Sequence, residues 1–328
     1  MTRIVYVHHK YFWESDIEIY FEFDNSIVFT TEDIIVNDNE TKKSRIINIV
    51  TKCELNTSLD SIEALKYVRP KELIIQGIIS FLSKYPITIY NVYETQYCPK
   101  LVEYEEKNIT FIFRSVDHTS DLRTLLNKLK EKPNIVASLL DKWRKALFLI
   151  SDEDFGDLLL SESVLLFFNA IDLLVSEFDK ELKCRLRDYI DDMLNKYFQF
   201  CYITDDRARN IVKRNKTFVE KILFSSSFTL GLKIKFFLEK YGLLNDDIAR
   251  FIDEIVNIRN YNAHGKIIDD TEIDWPLPPF FDLPNDAKDK IDFLPILTGM
   301  MISKYIGINL WDKEFTEMNI GARFYADT

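Results

Sequence analysis

Residues 246–265 read DDIARFIDEIVNIRNYNAHG, and this stretch predicts the character of the second half of the chain. Its apolar residues recur at three- and four-residue spacing, which is typical of one face of an amphipathic helix. That face comprises Phe251, Ile252, Ile255, Val256 and Ile258. Asn245 is a suitable N-cap and Gly265 a suitable C-terminal stop. We therefore expect a helix over 246–260 that packs against a core of other helices.

The segments around this helix have the same helical spacing. A first helix is expected at 120–132, where Pro133 ends it. Further helices are expected at 135–150, 157–178, 181–200, 206–224, 229–240 and 287–306. Residues 269–286 are rich in proline and aromatic residues and are expected to form an ordered loop.

The first 117 residues have a different pattern, since β-branched and aromatic residues dominate short, partly alternating runs. These runs predict strands at 17–23, 26–31, 45–51, 87–93 and 109–114. One helix is expected within this part, at 70–84, with Pro70 in its first turn. The fold class is therefore α+β, with a β-rich N-terminal domain at 1–117, a linker helix at 118–134 and a helical domain at 135–328.

Composition excludes several classes of protein. A hydrophobic content of 47% and a charged content of 29% are ordinary for a globular protein. The N-terminus shows no targeting pattern, and no stretch reads as a membrane span. The four cysteines are scattered without metal-ligand spacing, so a zinc site or a disulfide framework is not expected. We expect a cytoplasmic protein that does not bind membranes.

The net charge of −11 is unevenly distributed. Residues 151–204 hold 5 Lys/Arg against 12 Asp/Glu, residues 205–240 hold 9 against 4, and residues 241–328 hold 8 against 16. The basic segment is either a solvated helix face or a local track for phosphates in an otherwise acidic chain. If it is a track, its substrate-binding candidates are Arg207, Arg209, Lys213, Arg214 and Lys216.

Residues 257–265, NIRNYNAHG, carry the motif with the clearest chemistry. Arg259 precedes His264 by five positions at the end of the amphipathic helix, with the polar Asn260 between them. This arrangement resembles the HEPN superfamily, whose motif is an Arg, often followed by a polar residue, and then a His after four to six residues. The closest likeness is to the Apea-like HEPN domains of prokaryotic defence proteins, and it covers roughly residues 135–306.

The resemblance implies a set of catalytic residues. Arg259 and His264 are the reacting pair, Asn260 orients His264 or donates to phosphate, and an acidic residue in an early helix corresponds to Asp172. On a regular helix five residues turn by about 500°, which leaves the Arg and His side chains about 140° apart. Either the helix unwinds after Asn260 or the site is shared across a two-fold axis, and the resemblance implies a homodimer.

The activity implied is a metal-independent endoribonuclease without cofactors. The RNA 2′-hydroxyl attacks the adjacent phosphate and leaves a 2′,3′-cyclic phosphate and a 5′-hydroxyl. His264 serves as general base or acid, and Arg259 offers bidentate donors to the phosphoryl oxygens. The expected role is a toxin-like effector in antiviral defence that acts on RNA, tRNA being one candidate. A phage-derived trigger or a regulatory partner would act at the N-terminal domain.

Other functions remain open at this point. The chain is alternatively a non-catalytic HEPN scaffold that binds a nucleotide or a partner protein, which the acidic balance favours slightly. A third interpretation is an interaction module in which the β-rich half makes the main interaction and the helices serve for dimerisation. His8 and His9 are adjacent, so in a strand they would point to opposite faces and could not jointly bind a metal, and they are assigned structural roles. Trp143 is assigned to a helix surface or core edge, with base stacking as the alternative.

Overall fold

A computed structural model describes residues 3–13, 16–37, 40–55, 61–88, 91–151, 159–202, 204–214, 228–263 and 291–317. Contacts divide the chain into two compact units. The first contains Met1–Phe167 and Pro295–Phe315, and the second contains Phe168–Leu294 and Thr316–Thr328. The fold class is α+β, as predicted, since an antiparallel sheet precedes a helical region. The predicted domain boundary at 118–134 stays a prediction.

The first unit contains a seven-stranded sheet. Its strands are β1 (Arg3–Trp13), β2 (Ile17–Phe23), β3 (Ser26–Asn37), β4 (Glu40–Leu55), β5 (Val92–Cys98), β6 (Thr110–Phe113) and β7 (Val116–Asp117). Their order in the sheet is β5-β1-β4-β3-β2-β6-β7. Its paired strands are antiparallel, both in hairpins such as β2–β3 and between strands far apart in the sequence, such as β1 and β4. The hairpin between β2 and β3 turns at Asp24, whose φ of 52° lies in the left-handed region that Asp tolerates.

The first unit also contains helices, of which α1 (Ser61–Ser83) packs against one face of the sheet. The contact with α1 includes an apolar cluster, in which Val5, Val7 and Cys53 pack against Ala64 and Val68. The helices are α1 (Ser61–Ser83), α2 (Thr119–Glu131), α3 (Pro133–Ile150), the beginning of α4 (Leu160–Ser176), most of α9 (Leu294–Ile306) and α10 (Asp312–Glu317). No helix in the described ranges is long and apolar enough to cross a membrane.

Two local predictions in this unit are wrong. The expected helix at 70–84 begins nine residues earlier, so Pro70 lies inside α1 instead of in its first turn. The packing of Ala64 and Val68 against the sheet explains how the helix persists through a residue that lacks an N–H donor. The expected strand at 87–93 is displaced, because β5 begins at Val92, where it pairs with β1.

The core of the first unit is built around Trp143. Its ring is fully buried, lies edge-on to Phe81 and Trp311, and donates its Nε1–H to the carbonyl of Pro295 at 3.2 Å. A ring in this position has no face available to a nucleobase, and Trp143 lies inside the core, not at a helix surface or core edge as expected. Gly77 allows α1 to approach α3 closely, since a Cβ there would lie 2.9 Å from the Cβ of Leu140.

The second unit is helical. It comprises the remainder of α4, then α5 (Asp179–Phe200), α6 (Asp206–Arg214), α7 (Leu230–Lys240) and α8 (Asp246–Ala263). Helix α5 is tied to α7 by Arg185, which donates to both carboxylate oxygens of Glu239 at 3.0 and 2.6 Å, and by the Lys233–Asp179 pair. The predicted helices at 181–200 and 229–240 are confirmed to within two residues.

Candidate functional site

Helix α8 carries the first half of the Arg–His motif, and local signals explain where it begins. Asn245 is the N-cap, as predicted, because its side-chain oxygen accepts the backbone N–H of Ile248 at 2.8 Å. Most of the apolar face is buried, with Val256 partly exposed, and its Phe251 ring lies edge-on to Phe293, with centroids 4.8 Å apart. This packing fixes the rotation of the helix and therefore the direction in which Arg259 leaves it.

Arg259 lies in the last two turns of α8, directly after the buried Ile258. Its Nη1 donates to the side-chain oxygen of Asn260 at 3.1 Å. Its Nε is buried and has no hydrogen-bond partner among the residues that the structure describes. A buried donor without an acceptor costs about 1–3 kcal/mol, so the guanidinium retains hydrogen-bonding capacity for another group.

His264 lies outside the described residues. The helix that leads to it stays regular through Ala263, so the unwinding considered directly after Asn260 does not occur within 261–263. The main chain therefore stays helical for four residues beyond Arg259 and turns by about 100° at each residue. A site within one chain therefore requires a change of direction at or after position 264.

Asp172 lies on α4 within a frame of buried residues, as its sequence context suggested. Phe168, Ile171 and Val175 are buried, whereas Asp172 itself is exposed. In the described part of the chain, its carboxylate forms no ion pair or hydrogen bond with Arg259. Its assignment to the catalytic set stays a prediction.

The first part of the basic segment contains α6, and residues 215–227 of the segment lie outside the described ranges. Arg207 is exposed, and its backbone N–H donates to the side chain of Asp205 at 2.8 Å. Arg209 is half-buried, with its guanidinium carbon 6.0 Å from the centroid of the Phe198 ring. Lys213 and Arg214 belong to the last turn of α6, and Lys216 lies outside the described residues. The side chains of Lys213 and Arg214 are likewise outside the description.

Exposed aromatic residues lie directly before this basic segment, and the sequence analysis did not select them. Tyr197, Phe200 and Tyr202 are all more than half exposed at the end of α5. A search for charge overlooks such residues, because aromatic side chains in an amphipathic helix are assumed to face the core. The available signal was their position immediately before the Arg-rich stretch.

The comparisons with known proteins agree with the resemblance that the motif suggested. Residues 165–274 match the family model for Apea-like HEPN, so the predicted HEPN likeness is confirmed for that segment. The segment contains every candidate site residue and falls almost wholly in the second unit. HEPN domains are generally of the ribonuclease type, typically bind RNA and typically dimerise. No curated protein and no solved structure matches the chain.

Proposed function

We propose that this chain is a metal-independent endoribonuclease, whose reacting groups are Arg259 and His264 and which acts as a toxin-like effector in antiviral defence. The observation that carries the proposal is the position of Arg259 within the segment that matches Apea-like HEPN. The Arg259 side chain projects from the end of α8. Its Nε is buried and lacks a hydrogen-bond acceptor among the described residues. An anionic group near the helix end would supply that acceptor.

The chemistry follows from the two side chains. The 2′-oxygen of a ribose attacks the adjacent phosphorus, the bond from phosphorus to the 5′-oxygen breaks, and a 2′,3′-cyclic phosphate forms. His264 takes the proton of the 2′-hydroxyl or supplies one to the departing 5′-oxygen, because an imidazole titrates near neutral pH. Solvent water carries out the complementary proton transfer.

Arg259 stabilises the charge that accumulates on the non-bridging oxygens during attack. Its planar guanidinium can donate two parallel hydrogen bonds, and it stays charged at every relevant pH. The bond from Arg259 to Asn260 holds the group at the end of the helix before the substrate arrives. Fixed donors of this kind are effective because they need no reorganisation during the reaction.

The decisive experiment compares the wild-type protein with Arg259→Ala and His264→Ala. Purified proteins are incubated with tRNA and with total RNA in the presence of EDTA, and the products are tested for 2′,3′-cyclic phosphate ends. We expect cleavage by the wild type and a loss of about 100-fold or more in each variant. Arg259→Lys should restore little activity, since an ammonium cannot replace the bidentate fork.

Arg250→Ala is the matched control, because Arg250 lies on the same helix, is exposed and pairs with Asp247. It should cleave as the wild type does. Full activity in Arg259→Ala or His264→Ala, with each protein folded by circular dichroism, would refute the assignment. A wild-type protein that binds RNA and cleaves none would indicate the non-catalytic scaffold.

A further inference from the structure

A partly open cavity of about 590 Å³ lies between the β2–β3 hairpin and α2 in the first unit. Its floor is apolar and comprises Phe23, Ile109, Leu126 and Leu129. Leu126 and Leu129 are buried, whereas Phe23 and Ile109 are half-buried. Pockets that hold small molecules usually measure about 300–1,000 Å³ and combine an apolar lining with a few polar groups. This cavity has the size and the floor of such a pocket.

One wall of the cavity is a line of polar side chains along α2. Arg123, Asn127 and Lys130 occupy positions i, i+4 and i+7, so they project from the same side of the helix. All three are exposed, and none forms a hydrogen bond or an ion pair with the residues that the structure describes. This wall therefore offers two unpaired cations with an amide group between them.

The other wall is the β2–β3 hairpin, which carries two carboxylates, Glu22 and Asp24. Asp24 is already neutralised, because Lys71 of α1 pairs with it at 2.7 Å. Glu22 is exposed and forms no ion pair in the described ranges, although it accepts a long hydrogen bond from the Tyr20 hydroxyl at 3.4 Å. The unpaired charges of the cavity are therefore one carboxylate on the hairpin and two cations on α2.

Both walls are held in place by the rest of the first unit. Strand β2 pairs with β3 on one side and with β6 on the other. At the tip of the hairpin, the Nδ2 of Asn25 donates to the hydroxyl of Tyr67 on α1 at 3.4 Å. Helix α2 is anchored by Leu122 and Leu125, which are fully buried. The cavity is thus formed before a ligand arrives, which favours binding because little ordering is needed.

We propose that this cavity binds a short apolar peptide with free termini. Arg123 and Lys130 bind its carboxylate, Glu22 binds its ammonium group, and the apolar floor takes its side chains. Asn127 pairs with a peptide group of the ligand, because its side-chain amide offers one acceptor and two donors. This inference goes beyond the proposed ribonuclease activity and does not depend on it.

Ligands with a single kind of charge fit the cavity less well. An apolar anion would leave Glu22 beside a negative charge, and an apolar cation would approach Arg123 and Lys130. Like charges at close range oppose binding. A molecule with an ammonium group at one end and a carboxylate at the other is attracted by both walls. A short free peptide brings both termini into one cavity, which the terminus of a long chain does not do.

Calorimetric titration with four forms of the tripeptide leucyl-alanyl-leucine tests the proposal. The free peptide carries both charges, the N-acetyl form only the carboxylate, the C-terminal amide only the ammonium group, and the doubly blocked form neither. We expect the free peptide to bind most tightly. Each single block should weaken binding about fivefold, and the double block by more than about tenfold.

Variants assign each charge to its wall. Glu22→Gln should remove the advantage of the free amine and retain that of the free carboxylate, since a neutral amide does not attract an ammonium group. The double variant Arg123→Ala with Lys130→Ala should show the reverse. Lys128→Ala is the matched control and should bind as the wild type does, because Lys128 lies on the same helix but pairs with Glu131 outside the cavity.

Equal affinity of the wild type for all four peptide forms would overturn the proposal, and so would the absence of binding at millimolar peptide. Tighter binding of the N-acetyl form than of the free peptide would assign the cavity to an anion instead. Tighter binding of the amide form would assign it to a cation. Circular dichroism of each variant shows whether lost binding reflects unfolding. The assay contains no RNA, so its outcome is independent of the ribonuclease proposal.

Discussion

Arg259 and Asn260 show how a single hydrogen bond prepares a charged side chain for a ligand. The bond between them directs the guanidinium along the end of α8, while its Nε stays buried and unsatisfied among the described residues. Such a group is more stable once an acceptor binds, because the missing hydrogen bond is then formed. Residue-scale geometry therefore favours anion binding at this helix end.

The surroundings of a second side chain, His8, change its pKa and thereby the dependence of stability on pH. Its Nε2 lies 2.8 Å from the Oδ1 of Asn48, whose Nδ2 donates to Thr31 at 3.0 Å. The neighbouring His9 points to the opposite face, where it pairs with Glu72 of α1. Burial lowers the pKa of His8 below 6.5; the Asn48 hydrogen bond raises it, but not enough to compensate.

We predict that His8 destabilises the fold in mild acid. Above pH 6.5 the ring is neutral in both the folded and the unfolded chain, so it contributes no pH dependence. Below that pH the unfolded chain takes up a proton that the buried ring resists, and the free energy of unfolding decreases. Urea unfolding of wild type and His8→Gln at about pH 7 and about pH 5.5 measures this effect. The wild type should lose more stability on acidification, and an equal loss in both proteins would contradict the prediction.

At the scale of single elements, Gly299 and Gly231 each lie in a helix, and a methyl group added at the two positions would have opposite effects on packing. In α9 a Cβ on Gly299 would lie 2.6 Å from the ring of Trp311, so the two cannot both keep their positions. In α7 a Cβ on Gly231 would meet no atom closer than 3.8 Å. Both glycines lie within helices, where alanine is intrinsically the better residue.

We therefore predict that Gly299→Ala destabilises the protein by about 1–3 kcal/mol, because the added methyl group displaces a packed indole. Gly231→Ala is the matched control and should be neutral or stabilising by up to about 1 kcal/mol. Urea unfolding followed by circular dichroism measures both. A Gly299→Ala protein as stable as the wild type would show that Trp311 moves without penalty.

At the scale of the whole molecule, the regular course of α8 bears on how the site is assembled. The helix persists through Ala263, so more than one regular helical turn separates Arg259 from position 264. HEPN domains typically dimerise. A site in which Arg259 of one copy meets His264 of another is therefore the arrangement we propose.

Mixing two inactive variants tests this arrangement. If each site uses Arg259 of one copy and His264 of the other, a mixed dimer of Arg259→Ala and His264→Ala keeps one intact site. Random exchange makes half of the dimers mixed, so activity should return to about a quarter of the wild-type level. The two variants are exchanged by denaturing and refolding the mixture. The control is Arg259→Ala alone, denatured and refolded in the same way. Absence of recovery in mixtures that contain dimers would place both residues of each site in one chain.

The sequence by itself determined the α+β class, strand β2 at Ile17–Phe23, the start of α8 after Asn245 and the HEPN likeness. These features depend on periodicity, caps and short motifs, and their signals come from residues close together in the chain. The tertiary structure alone decided that Pro70 lies inside α1, that Trp143 is buried and that Tyr197, Phe200 and Tyr202 are exposed. Each of these outcomes depends on whether a distant segment of the chain covers a given face of an element. The spacing of apolar residues along the sequence is the same whether the face is covered or exposed.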